Sequence, residues 1–111
     1  MTRLLEGVDV CLEADGSVLK VEGRVGFEAA AALAEAGRGW LASQPAGTRV
    51  SFDLTGVADV SSAALSVLLE WARAARAAGL KLQAVRLSPA LRRLTDLAGL
   101  ERLLPVESDA A

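Results

Sequence analysis

The side chains best suited to chemistry gather in one stretch: Asp53, Thr55, Asp59, Ser61, Ser62, Ser66, Glu70 and Arg73. Asp53 and Asp59 are the kind of carboxylate pair that general acid–base catalysis or a divalent cation could use, and Ser61-Ser62 places two hydroxyls side by side. The rest of the chain withholds what such reactions need. There is no histidine, which removes the usual base for a serine nucleophile and the commonest metal ligand. Two carboxylates alone make a weak ligand set, and an aspartate at a strand end is usually a turn or cap residue. The single Cys11 can form neither an internal disulfide nor a multi-thiolate site, which fits a reducing compartment. Gly23-Arg24-Val25-Gly26 lacks the third glycine of a dinucleotide loop, and no Gly-Lys-Ser/Thr follows a glycine loop. The expectation is therefore recognition, not catalysis, with no cofactor and no metal.

The elements that must position these residues can be read from periodicity. Val50, Phe52 and Leu54 alternate with Ser51 and Asp53, the pattern of a strand, and Thr55-Gly56 is expected to end it. Ser61 and Ser62 stand where a helix N-cap belongs. Leu65, Leu68, Leu69, Ala72 and Ala75 then give one buried helical stripe, and Ala64, Val67, Trp71, Ala74 and Ala78 a second. An apolar arc that wide implies two packing neighbours, or one neighbour and an external partner. Ser62, Ser66, Glu70 and Arg73 fall together on the opposite side, and Gly79 ends the helix.

Before this stretch, Val8, Val10 and Leu12 predict a first strand, Asp15-Gly16 a hairpin turn and Val18–Glu22 the returning strand. The alanine-rich run from Phe27 to about Ser43 predicts a helix with Phe27, Ala30, Ala34 and Leu41 on one side and Leu33 and Trp40 on an adjoining stripe, with fraying or an early stop expected at Gly37 and Gly39. After it come a strand from Leu80 to Arg86 and a helix opened by Ser88-Pro89, with Leu91, Leu94, Leu97 and Ala98 on its buried side. Leu100, Leu103, Leu104 and Val106 form a short closing element. The order predicts a single α/β domain over 1–111: a small, mostly parallel mixed sheet with helices mainly on one face, an ordered core at 7–106 and a frayed tail at 107–111.

A net charge of −2 argues against a nucleic-acid partner, which would ask for a concentrated basic face. No apolar run is long enough to enter a bilayer, so the expected location is the cytoplasm, with any membrane association supplied by a partner. Trp71 lies mid-arc, which favours the core over an interface anchor. For Arg73, Arg76, Arg86, Arg92 and Arg93 a solvated face is favoured over a basic patch, and Cys11 reads as a small strand residue, not a reactive thiol.

The run from Asp53 to Leu65 resembles the signature of the STAS domain family: Asp-Leu-Ser, a few residues, Asp-Ser-Ser-Gly-Leu, then an apolar helix. The resemblance extends through Gly79-Leu80-Lys81-Leu82 and Leu97-Ala98-Gly99-Leu100, nearly the whole chain. It implies a binding module of one of two kinds. One is the accessory subunit of an Mla-type phospholipid ABC transporter, whose partner is the ATPase subunit. The other is an anti-sigma factor antagonist, whose partner is an anti-sigma factor kinase. The bare single-domain length and the helix Leu-Leu-Glu-Trp-Ala-Arg-Ala-Ala-Arg-Ala-Ala-Gly resemble the first more. By the same resemblance Ser62 occupies the phosphorylatable position, Ser61 replaces the usual Asp, Ala63 replaces the usual Gly, and Asp53 matches the strand-end aspartate. The neutral Ser61 counts against regulated phosphorylation more than against the transporter role. Asp59, Ser61, Ser62, Ser66, Glu70 and Arg73 are the expected partner-binding residues, and Asp53 and Thr55 the structural part of the motif.

Overall fold

The computed structural model describes residues 2–58, 62–100, 102 and 104–106. Its elements are β1 (Thr2–Glu6), β2 (Val10–Asp15), β3 (Val18–Gly23), α1 (Phe27–Ala42), β4 (Arg49–Val57), α2 (Ser62–Ala77), β5 (Lys81–Leu87) and α3 (Pro89–Leu97). The strands form one sheet in the order β1-β2-β3-β4-β5, antiparallel across the first two pairings and parallel across the last two. This is the single mixed α/β domain that the sequence predicts.

Alternation decides which face is covered. Leu12 and Ala14 on β2, Leu19 and Val21 on β3, Val50, Phe52 and Leu54 on β4, and Val85 and Leu87 on β5 are buried. The intervening residues remain accessible. α1 packs on β1 and β2 and against α2, while α2 and α3 reach β5. Trp71 of α2 is fully buried at the centre, its ring edge-on to Phe52 at 5.6 Å between centroids. Its indole N–H donates to the Ala34 carbonyl at 3.3 Å, so the polar end of the ring is satisfied inside the core. Gly37 makes this closeness possible: a Cβ there would stand 2.1 Å from Trp71 Nε1.

The open face carries a different pattern. Arg3 pairs with Glu13, Glu13 with Lys20, Lys20 with Asp53, and Asp53 with Arg86, so one row across the sheet alternates cation and anion. Opposite charges placed directly across strands favour this register, because a slip of one residue would break every pair. Arg3 and Glu13 meet at 3.4 Å.

Several expectations are corrected. β1 was not foreseen, and Val8 lies outside β2, fully exposed. β4 does not stop at Thr55-Gly56, because Glu22↔Gly56 and Gly23↔Val57 continue the parallel ladder. α1 does not fray at its glycines; it runs to Ala42, held by its packing on α2. Leu97 and Ala98, expected on the buried side of α3, are exposed, as is Phe27, whereas Thr95 is fully buried and donates from Oγ1 to the Leu91 carbonyl at 2.9 Å. In the closing segment Leu104 is buried and Val106 forms a parallel bridge to Val85; Leu103 and the expected frayed tail at 107–111 lie outside the described residues.

Candidate partner-binding site

Sheet register gathers several loops at one end of the molecule. Val10 pairs with Gly23, and Gly23 with Val57, so the β1–β2 loop, the end of β3 and the end of β4 are neighbours. Two backbone bonds lace them together, Arg24 N–H to the Asp9 carbonyl and Ala58 N–H to the Gly23 carbonyl, both at 2.8 Å. Gly23 adopts φ 105°, and a Cβ there would collide with the Asp9 carbonyl oxygen. Only glycine fits that junction comfortably. The β4 end is therefore fixed where the chain turns toward α2.

Ser62 is the first residue of α2 and is exposed. Ser61 and Asp59 lie outside the described residues. Ser66 and Arg73 are also exposed and Glu70 is half-exposed, so Ser62, Ser66, Glu70 and Arg73 share an accessible face of α2. The ridge ends in an ion-pair cluster: Glu70 accepts from Arg38 of α1 at 2.8 Å and lies 3.7 Å from Arg73. Arg38 did not figure among the expected residues. Nothing local marks it, since its partner is 32 positions away.

Asp53 and Thr55 are separated from this ridge. Both are on the open face of β4, and the Asp53 carboxylate accepts from Thr55 N–H at 3.0 Å and from Thr55 Oγ1 at 2.6 Å. That short-range clasp takes up one Asp53 oxygen twice. Among the described residues no group of three or more His, Cys, Asp or Glu could hold a metal ion.

The loop end also presents apolar surface that the sequence did not signal. Val8, in the β1–β2 loop, and Phe27, at the start of α1, are two of the three large hydrophobic side chains left exposed among the described residues. The end that carries Ser62 therefore combines an exposed hydroxyl with exposed apolar side chains, the composition of a protein-docking surface more than of a solvated loop. A phosphate on Ser62 would add about 1.5–2 negative charges at the N-terminal end of α2, where the helix dipole tolerates them.

A solved structure of an anti-sigma factor antagonist from Mycobacterium paratuberculosis is similar to this chain, with 25% sequence identity and a TM-score of 0.69. The match covers 91% of this chain and 86% of that one. No curated protein sequence matches closely enough to carry an argument. The family model described as "Mlab, STAS domain" matches residues 8–105, the span from the β1–β2 loop to the closing segment, and the chain accordingly belongs to this family of STAS domains.

Proposed function

We propose that the chain is a non-catalytic binding module that serves a phospholipid-transporting ABC system, docking its Ser62 end on the cytoplasmic ATPase subunit. The observation that carries this reading is the exposure of Ser62, at the start of α2, on the same end of the sheet as the exposed apolar Val8 and Phe27. The MlaB-type family match over 8–105 supports the transporter partner in particular. No helix among the described residues is long and apolar enough to cross a membrane, so in this reading the ATPase holds the domain at the bilayer.

The likeness to an anti-sigma factor antagonist favours a second reading, in which the partner is an anti-sigma factor kinase and phosphorylation of Ser62 releases it. Both readings use the same end of the molecule and differ in what docks there. Affinity co-purification from native cells with detergent-solubilised membranes separates them, comparing wild type with Ser62→Glu. The transporter reading expects an ABC ATPase and its permease with wild type and their loss with the variant. Recovery of a soluble sigma-regulating kinase would overturn it in favour of the second reading.

A further inference from the structure

α2 carries more apolar surface than α1 and the sheet cover. Leu65, Leu68, Trp71 and Ala75 are buried, but Leu69 and Ala72 are only partly so. They floor two adjoining depressions of about 490 and 200 Å³ that run between the second half of α2, β5 and the closing segment. Leu82 and Leu104 complete the apolar lining, and every polar side chain among the described lining residues is an arginine: Arg73, Arg76 and Arg102. The chain as a whole has 14 acidic against 12 basic residues, so three arginines and no acid among the described lining residues depart from its average composition. Arg73 meets Glu70 at 3.7 Å; among the described residues no carboxylate lies within salt-bridge distance of Arg76 or Arg102.

An apolar floor under guanidinium groups selects for a molecule with both characters. Guanidinium forks match carboxylates and phosphates in shape as well as charge. The larger depression has the size of a small-ligand site, roughly 300–1,000 Å³. We propose that this groove binds a free single-chain anionic amphiphile, its carboxylate or phosphate head held by Arg76 and Arg102 and its aliphatic chain lying over Ala72, Leu82 and Leu104. The site flanks the C-terminal half of α2, whereas Ser62 opens its N-terminus, so the inference does not rest on the proposed docking partner.

Titration of the full chain with dodecyl phosphate and, separately, with dodecanoate, both below their micelle concentrations, tests it. Calorimetry gives the affinity and backbone amide NMR shifts give the place. Saturable binding is expected, with shifts centred on Ala72, Leu82 and Leu104, and the two arms show which head group is preferred. Arg76→Ala combined with Arg102→Ala should weaken binding at least tenfold. Arg76 also sits in the last turn of α2, where it offsets the carbonyl end of the helix. Should the double variant fail to fold, Arg102→Ala alone, outside any helix, carries the comparison. The proposal is overturned by absent saturation, by shifts elsewhere or by undiminished binding in the variant. Equal binding of neutral dodecyl maltoside, or of inorganic phosphate alone, overturns it too.

Discussion

Gly37 and Gly39 lie two positions apart in α1, and alanine at each should move stability in opposite directions. In a helix interior glycine is worse than alanine by about 0.5–1 kcal/mol, so Gly39→Ala, with nothing within 4 Å of the new methyl, should stabilise by about that much. Gly37→Ala gains the same propensity term and loses more. Its Cβ would stand 2.1 Å from Trp71 Nε1, 2.3 Å from Cε2 and 2.7 Å from Cζ2. Trp71 is fully buried and edge-on to Phe52, so the ring cannot retreat without disturbing the core. Overpacking of this kind costs about 1–3 kcal/mol. Pulling the indole N–H away from the Ala34 carbonyl, now 3.3 Å distant, adds about 1–3 kcal/mol for a stranded buried donor. The net expectation for Gly37→Ala is a loss of about 1–5 kcal/mol, which at about 4–8 °C per kcal/mol for a domain near this size lowers Tm by about 4 °C at the least and by tens of degrees at the most. Urea unfolding followed by tryptophan fluorescence measures both variants, and near-UV circular dichroism reports whether the indole has shifted. A Gly37→Ala protein as stable as Gly39→Ala would refute the claim that this glycine sets how closely α1 approaches α2.

Ser88 caps α3 by accepting from Leu91 N–H at 3.3 Å, so Ser88→Ala should cost about 0.5–2 kcal/mol in thermal unfolding, and Ser88→Asn should recover most of it. Lys20→Glu would set an acid directly across from both Glu13 and Asp53; it should be less stable than Lys20→Gln, and the gap should shrink in 1 M salt. No difference between the two at low salt would show that the row contributes nothing. Burial, and then the hydrogen bond to Glu13, push the Cys11 thiol above its ordinary range, against the smaller opposing pull of Arg3. Its stabilising contribution is present below the ordinary thiol pKa and is lost as pH rises through the folded-state value. Iodoacetamide at pH 8 should therefore label native Cys11 more slowly than Cys11 of the urea-unfolded chain; equal rates would remove the basis for the shift.

Local pattern was enough where one residue type has one good solution. Asp15-Gly16 turns with Gly16 at φ 61°, Ser88-Pro89 opens α3, and the Val50-Phe52-Leu54 alternation points into the core as expected. Pattern failed where pairing or packing decides. Thr2–Glu6 places Leu4 and Leu5 side by side, without alternation, and becomes a strand only by pairing with β2 across an irregular register. The glycines of α1 read as breakers, because nothing nearby in sequence announces that Trp71 needs the space at Gly37. Of the candidate site, the exposed stripe from Ser62 to Arg73 was legible because helical spacing fixes it. The Arg38–Glu70 pair and the exposure of Val8 and Phe27 depend on how distant segments meet, which spacing does not encode.

The charge row on the open sheet face reads the same from either edge: Arg3, Glu13, Lys20, Asp53, Arg86. Symmetry makes that palindrome matter. If two copies laid these faces together about a twofold axis along the strands, Arg3 would oppose Arg86, Glu13 would oppose Asp53, and Lys20 would oppose itself. A twofold axis along the row brings each residue onto its own copy. Either way cation meets cation and anion meets anion, although the charges within one sheet are matched. The arrangement that holds neighbouring strands in register thus also repels a symmetric sheet-on-sheet dimer, the commonest way for an uncovered sheet face to bury itself against its own kind. A five-stranded sheet with helices on one side can in this way leave the other side bare without sticking to itself.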